Sequence, residues 1–199
     1  MVLKQVLEAY ELMDNPQVDG DQVKQMLLDT GLSQVESQRM KGPKGYTDFI
    51  KVVIPGHTGK IKGGDAPTLG IVGRLGGIGA RPERIGFVSD GDGAVVAIAS
   101  ALKLGCMHSL GDVLVGDVII TTHICPHAPT RPHEPVPFMD SPVDIATMNK
   151  YEVDPAMDAI LSVDTTKGNR IINHCGFAIS PTVKEGYILR VSEDLLDIM

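Results

Sequence analysis

The residues of this sequence that are suited to chemistry are carboxylates and histidines that follow apolar runs. Asp90 and Asp92 stand in the acidic turn SDGDG, which ends one apolar run and begins a helix of small residues. His123 and His127 follow a second apolar run, and Asp164 follows a third. Carboxylate oxygens and imidazole nitrogens are ligands that zinc and manganese ions accept in proteins. A metal at such a site would polarise a carbonyl group and generate hydroxide near neutral pH.

An α/β fold would bring these residues together. Strand-like runs alternate with helical patterns, which predicts a three-layer αβα fold around a mostly parallel, mixed sheet. Ligands in such sheets bind beyond the carboxyl ends of the strands. The predicted strands are 47–54, 68–73, 85–88, 117–122 and 158–163, and the second, fourth and fifth of these are of the buried type. Helical patterns cover 3–13, 19–31 and the run after Asp92, with a helical turn over 142–149.

Parallel strands would deliver three of these side chains to one edge of the sheet. We expect Asp90, His123 and Asp164 to be the ligands of one divalent metal ion, zinc or manganese. Asp92 or His127 would then support a ligand or act as a general base. The convergence of three sites after three strands is what favours the metal.

Two arginines flank a glycine-rich loop, RLGGIGARP, that follows the strand 68–73. Glycines there let the backbone approach a ligand closely, and Arg74 and Arg81 would hold a substrate carboxylate. The loop has neither the dinucleotide-binding nor the P-loop glycine pattern, so no nucleotide cofactor is expected. Arg74 could equally pair with Asp90 in place of a metal, which would leave a binding scaffold.

Simpler explanations exist for the individual residues. The turn SDGDG can serve as a helix N-cap with no further role. His123 can be a buried histidine with satisfied hydrogen bonds, and Cys125 can be a small buried hydrophobe. Cys125 also lies between His123 and His127, where an activated thiol is conceivable, although neighbouring histidines do not by themselves make a Cys–His dyad.

The composition excludes several classes of protein. A chain of 199 residues fits a single domain, and a net charge of −7 without a Lys/Arg block argues against nucleic acid as a partner. No apolar run approaches the ~20 residues of a membrane span. Three scattered cysteines form no C-x-x-C motif, so no disulfide framework is indicated and a reducing, cytoplasmic setting is expected.

Several runs resemble the signatures of an uncharacterised bacterial and archaeal family of unknown function. They include GRLGGIGARPE, FVSDGDGA, GDVIITTHICP, ATMNKYEVDP, SVDTTKGNR and ISPTVKEGYILRVSEDLLDIM, and together they extend over nearly the whole chain. Members of that family are longer, so the resemblance implies a continuation beyond residue 199.

The layout is more remotely similar to the two-zinc aminopeptidases of the phosphorylase/hydrolase-like fold. The two helical patterns around residues 7–31 resemble their start, Asp90 matches their metal-bridging aspartate, and Asp164 matches an aspartate ligand in an apolar-Val-Asp-x-Thr context. Two departures stand against a copied mechanism: Arg74 replaces a first histidine ligand, and the region of His123 replaces a Glu-Glu pair.

These observations lead to one expected function and one alternative. We expect a metal-dependent, peptidase-like hydrolase that acts on a small peptide or amide, on a single α/β domain over residues 1–199. The alternative is a non-catalytic ligand-binding or assembly protein on a degenerate peptidase fold. The expected partners are a small-molecule or peptide ligand and further copies of the chain in a homo-oligomer, with neither nucleic acid nor membrane.

Overall fold

The computed structural model describes residues 2–15, 17–74, 91–134, 138–165, 176–184 and 186–199. Its strands, in chain order, are β1 (Val35–Gly42), β2 (Gly45–Ile54), β3 (Leu69–Gly73), β4 (Val118–Ile124), β5 (Thr130–Arg131), β6 (Phe138–Met139), β7 (Ala159–Val163), β8 (Thr182–Lys184) and β9 (Tyr187–Leu189). Its helices are α1 (Leu3–Met13), α2 (Gly20–Leu28), α3 (Asp92–Ser109), α4 (Ile145–Glu152) and α5 (Glu193–Ile198).

The chain divides into two compact units after residue 165. The first, residues 1–165, contains a five-stranded sheet in the order β1-β2-β4-β3-β7. The second, residues 166–199, contains the antiparallel pair β8–β9 and the helix α5. The expectation of a single domain with a continuation beyond residue 199 stays a prediction.

The sheet is mixed. Strand β3 pairs in parallel with β4 on one side and with β7 on the other, while β2 runs antiparallel to both β1 and β4. Four of the five strands therefore point the same way, which confirms the predicted mixed α/β sheet. The carboxyl ends of β4, β3 and β7 lie side by side, because Gly73 pairs in register with both Thr122 and Val163.

One face of the sheet packs on α1, α2 and α3 and forms the main core. Ile50 and Val52 of β2 and Ile120 of β4 belong to the same buried cluster as Ala97 and Ile98 of α3. The helix α2 begins where the sequence predicts, because the Asp19 side chain accepts a hydrogen bond from the backbone N–H of Gln22.

Alternate residues of the same strands face the other way, as the two-residue period of a strand requires. Phe49 of β2 packs there in a second cluster with Val143 and with Met148 of α4. Helices therefore cover both faces of the sheet, and the predicted three-layer arrangement is confirmed.

Two strand predictions need correction, and a third is not tested. The strand β4 continues to Ile124, so His123 lies within the strand and not after it. The prediction of a buried strand at 158–163 is wrong, because Ile160 is 42% and Leu161 40% exposed in β7, which stands at the end of the order of the described strands. An apolar run is the same in sequence whether its strand is central or at an edge. The predicted strand 85–88 lies outside the described residues.

Two further predictions concern helices. The helical turn expected at 142–149 is the helix α4, which continues to Glu152. Within the described ranges, no helix combines the length and the apolar character that a membrane crossing needs.

The amino-terminal end of α3 touches the carboxyl ends of β3 and β7, and a glycine makes this approach possible. A Cβ at Gly93 would stand 2.2 Å from the carbonyl oxygen of Arg74 and 2.6 Å from that of Val163. Both distances are far below a van der Waals contact, so the backbones would have to separate.

We therefore expect Gly93→Ala to destabilise the protein by about 1–3 kcal/mol, the usual cost of overpacking. The free energy of unfolding in urea measures this change. Val96→Ala, on an exposed part of the same helix, is the matched control. Its free energy of unfolding should stay within about 0.5 kcal/mol of the wild-type value. Equal stability of Gly93→Ala and the wild type would contradict the close approach.

Candidate functional site

The carboxyl edge of the three parallel strands brings together residues that the sequence analysis singled out. The pairing of Gly73 with Thr122 and Val163 continues for one residue, since the backbone N–H of Arg74 donates to the carbonyl of Val163 at 2.7 Å. The next residues along the strands are His123, Arg74 and Asp164. In register, Arg74 therefore lies between the histidine and the aspartate that were predicted as metal ligands.

A buried carboxylate joins the first two of these residues. Glu152 is fully buried, and its Oε1 contacts Nδ1 of His123, which is 1% exposed. Its Oε2 accepts a hydrogen bond from Nη1 of Arg74 at 2.8 Å. The second terminal nitrogen of Arg74 donates to Oδ1 of Asn149 at 2.7 Å. We call these four side chains the Glu152 cluster.

The helix α4 supplies the acceptors of this cluster. Asp144 caps the helix by accepting the backbone N–H of Thr147 at 2.8 Å. Asn149 and Glu152 are three residues apart, so both lie on the same side of the helix. The carbonyl oxygen of Glu152 also accepts the hydroxyl of Thr121 at 2.8 Å, which ties the end of α4 to β4.

Aromatic packing fixes the ring of His123 from another side. The ring of Phe49 lies 5.7 Å from that of His123, between centroids, and 4.8 Å from the ring of Tyr151, on which it stacks. An imidazole held by a carboxylate and by an aromatic ring loses most of its rotational freedom. The cluster is therefore a rigid one.

The contact with Glu152 decides which ring nitrogen of His123 carries hydrogen. An ionised carboxylate only accepts hydrogen bonds, so Nδ1 must be the donor. In the neutral ring, the lone pair then lies on Nε2, which is the arrangement of both metal-ligating and general-base histidines. Arg74 supplies the positive charge that compensates the buried carboxylate of Glu152.

The other predicted site residues have separate surroundings. Asp92 is exposed in the first turn of α3, where its Oδ2 accepts the hydroxyl of Thr165 at 2.8 Å. His127 is exposed in the loop after β4, with its ring 5.9 Å from that of Tyr46. Asp164 is exposed at the end of β7. Asp90 and Arg81 lie outside the described residues.

A metal centre of three donors is not assembled by the described part of the chain. No group of three or more His, Cys, Asp or Glu side chains there is arranged to hold a metal ion. Two of the predicted ligands, His123 and Asp164, are described, and the third, Asp90, is not. The assignment of these three residues as metal ligands therefore stays a prediction, as does the pairing of Arg74 with Asp90.

Sequence reasoning missed Glu152 and Asn149. The run NKYE places the two at helical spacing, and this was the available signal. The helical pattern was expected to end at residue 149, which left Glu152 outside it. The role of Glu152 depends on its contact with His123, 29 positions away in the chain.

Cys125 belongs to the buried interior. It is 1% exposed, and its Sγ donates to the hydroxyl oxygen of Thr47 at 3.2 Å. Burial raises the pKa of the Cys125 thiol to about 12. A thiol with that pKa is not activated, which favours the small buried hydrophobe over the nucleophile.

Comparisons with known proteins identify a family but no activity. The family model described as "Protein of unknown function (DUF1177)" matches residues 38–199, which confirms the resemblance to an uncharacterised family. No curated protein matches the sequence.

Three solved structures with some likeness to the chain come from two proteins. The bottromycin maturation enzyme BotP is 17% identical over 64% of this chain and 30% of that one, with a TM-score of 0.42. BotP in complex with Mn is 16% identical over 62% and 30%, with a TM-score of 0.42. The leucine aminopeptidase LAP1 of Caenorhabditis elegans is 14% identical over 66% and 30%, also with a TM-score of 0.42. The matched part of this chain thus spans less than a third of each structure, and likeness this weak assigns no function.

The Glu152 cluster makes a prediction about stability. We expect Glu152→Gln to lower the free energy of unfolding by at least ~2 kcal/mol, because the change leaves the buried side of Arg74 and the Nδ1 hydrogen of His123 without a carboxylate. Glu8→Gln is the matched control, because it removes the carboxylate of the exposed pair with Lys4 and should cost less than about 1 kcal/mol. Equal costs of the two changes would contradict a cohesive role for Glu152.

Cys125 makes a prediction about reactivity. With a pKa near 12, its thiolate population at neutral pH is lower by roughly three orders of magnitude than that of an ordinary cysteine. Mass spectrometry after iodoacetamide treatment at pH 7.5 should therefore show Cys125 unlabelled in the folded protein and labelled in urea. The half-buried Cys106 is the internal comparison. Rapid labelling of Cys125 in the folded protein would support the alternative that Cys125 is an activated thiol.

Proposed function

The chain belongs to the DUF1177 family, and because the description of that family names no activity, we propose a function from the site. We propose that the chain is a metal-dependent, peptidase-like hydrolase that acts on a small peptide or amide. The observation that carries this function is the buried contact between His123 and Glu152 at the carboxyl edge of the parallel strands.

The position and the cost of this contact both support a functional role. Carboxyl edges of parallel strands are where α/β sheets bind ligands. Removing a glutamate, a histidine and much of an arginine from water costs free energy that apolar side chains in the same place would not. A carboxylate that accepts from one ring nitrogen and so orients the imidazole is the usual partner of a metal-ligating histidine.

The three predicted ligands fit a divalent metal by the chemistry of their donor atoms. His123 has its Nδ1 committed to Glu152, which leaves Nε2 as a donor, and the carboxylates of Asp164 and Asp90 would supply oxygen ligands. One imidazole and two carboxylates suit zinc or manganese. Bound there, the metal would supply the Lewis acidity that polarises a substrate carbonyl.

The protein's own side chains have defined tasks in this function. Glu152 orients His123, and Arg74 neutralises Glu152 so that the pair stays buried. Arg74 uses its two terminal nitrogens on Glu152 and Asn149, and its remaining donors, together with Arg81, would hold a substrate carboxylate. Asp92 or His127 would act as general base. Both side chains are exposed, so they can exchange protons with solvent.

A second candidate function rests on Arg74. A guanidinium in register between His123 and Asp164 already places a positive charge where the metal is expected. A metal-free ligand-binding or assembly protein would use that charge to attract an anionic group. The two functions differ in one measurable property, the metal content of the protein.

Metal analysis separates the two candidates. We expect the purified protein, incubated with zinc or manganese and dialysed, to retain about one equivalent of metal, and amide hydrolysis on a peptide panel to depend on that metal. His123→Asn and Asp164→Asn should each reduce the bound metal at least tenfold and abolish hydrolysis. His57→Ala, in an exposed loop, is the control and should leave metal content unchanged.

Two results would refute the metal-dependent hydrolase. One is a wild-type metal content below about 0.1 equivalent with no effect of added metal. The other is unchanged metal content in Asp164→Asn, which is exposed and should fold normally. The first result would favour the metal-free binding protein.

A further inference from the structure

A cleft of about 210 Å³ lies on the outer face of the β1–β2 pair, beside the carboxyl end of α4. Its apolar lining includes the stacked rings of Phe49 and Tyr151, whose planes differ by 21°, together with Ile50, Val153 and Pro155. Side chains of both charge signs surround these rings. We call this space the α4 cleft.

One ion pair of the α4 cleft is committed to the fold. Nζ of Lys51 contacts Oδ2 of Asp154 at 2.6 Å, and Oδ1 of Asp154 accepts the backbone N–H of Ala156 at 2.8 Å. The hydrogen bond from Lys51, followed by that from Ala156, holds the pKa of Asp154 below its usual range. The pair is therefore charged at neutral pH, and its contribution is lost only as the pH falls below the usual aspartate value of about 4.

Two further charged side chains line the cleft from different elements, β1 and α4. Glu36 is exposed on β1, and Lys150 is exposed on α4, where its Nζ lies 6.0 Å from the centroid of the Tyr151 ring. Glu36 faces Lys51 across the strand pair in register, but Lys51 is bound to Asp154. Within the described chain, neither Glu36 nor Lys150 is part of a salt bridge, so both charges are available to a ligand.

We propose that the α4 cleft binds a small zwitterion with an apolar body, namely a free amino acid or a dipeptide. Its ammonium group would contact Glu36, its carboxylate would contact Lys150, and its side chain would cover the rings of Phe49 and Tyr151. The charges explain the choice of class. A simple anion would be repelled by Glu36 and Asp154, whereas a simple cation would be repelled by the lysines. A cleft this small suits a ligand below drug size.

The α4 cleft and the Glu152 cluster share two structural elements. The helix α4 carries Lys150 and Tyr151 into the cleft and Glu152 into the cluster. Phe49 contacts the ring of Tyr151 on the cleft side and the ring of His123 on the other. A ligand in the cleft therefore lies one aromatic ring away from His123. Binding there does not depend on hydrolysis, since a protein without activity would hold the same ligand.

Calorimetric titration with four related probes tests this site. We expect leucine and leucyl-leucine to bind, and N-acetyl-leucine and leucinamide to bind at least about tenfold more weakly, because each blocked compound lacks one charge-assisted hydrogen bond. Glu36→Gln should abolish the preference for leucine over N-acetyl-leucine. Lys150→Gln should abolish the preference for leucine over leucinamide.

Two controls accompany these variants. Glu8→Gln and Lys62→Gln make the same changes at exposed positions outside the cleft and should leave leucine binding unchanged. In NMR spectra of the histidine side chains, leucine should shift the signals of His123 but not those of the exposed His57. Glu36→Gln and Lys150→Gln alter exposed groups, so thermal unfolding should match the wild type and keep the comparison interpretable.

Three outcomes would overturn this site. The first is the absence of saturable leucine or dipeptide binding up to about 10 mM, because two charge-assisted contacts should give a lower dissociation constant than that. The second is binding that neither Glu36→Gln nor Lys150→Gln weakens. The third is weakening by only one of the two, which would indicate a simple cation or anion as the ligand. None of these results depends on whether the protein binds a metal.

Discussion

The carboxylate of Glu152 holds the outer helix and the sheet edge together. It is fully buried and contacts Arg74 at the end of β3 and His123 near the end of β4. A buried carboxylate is costly unless opposite charge and hydrogen-bond donors surround it. The docking of α4 on the sheet and the orientation of His123 therefore depend on each other, because the helix can bury Glu152 only next to Arg74 and His123.

The two faces of the sheet differ in polarity, because alternate residues of a strand point to opposite sides. In β4, Ile120 and Ile124 belong to the main core with α1–α3, while Thr121 and His123 form hydrogen bonds with Glu152 of α4. The face towards α1–α3 is therefore apolar, whereas the face towards α4 combines a small apolar cluster with the buried contacts of Glu152. At the meeting of α3 with β3, Gly73 and Gly93 allow the helix end and the strand end to approach closely, because a Cβ at either position would clash with backbone atoms of Gly93 or Arg74.

The helix α4 connects three features of this protein. One side of it supplies the acceptors for Arg74 and His123, its end is tied to β4 through Thr121, and its other side forms a wall of the α4 cleft. The ring of Phe49 lies between the cleft and the imidazole. A change in the position of α4 would thus alter both the α4 cleft and the Glu152 cluster, since the buried carboxylate and the stacked rings are packed against the same helix.

The sequence by itself determined the α/β class, the positions of β2, β3 and most of β4, and the placement of His123 and Asp164 at one edge. These follow from run length, alternation and the direction of parallel strands, which are local properties of the chain. The contact of Arg74 with Glu152, across 78 positions, was decided by the tertiary structure. So was the exposure of β7, an apolar run at the end of the order of the described strands. Both depend on which segments become neighbours in space. The sequence around a charged residue near a helix end does not show which distant residue it will pair with in the interior.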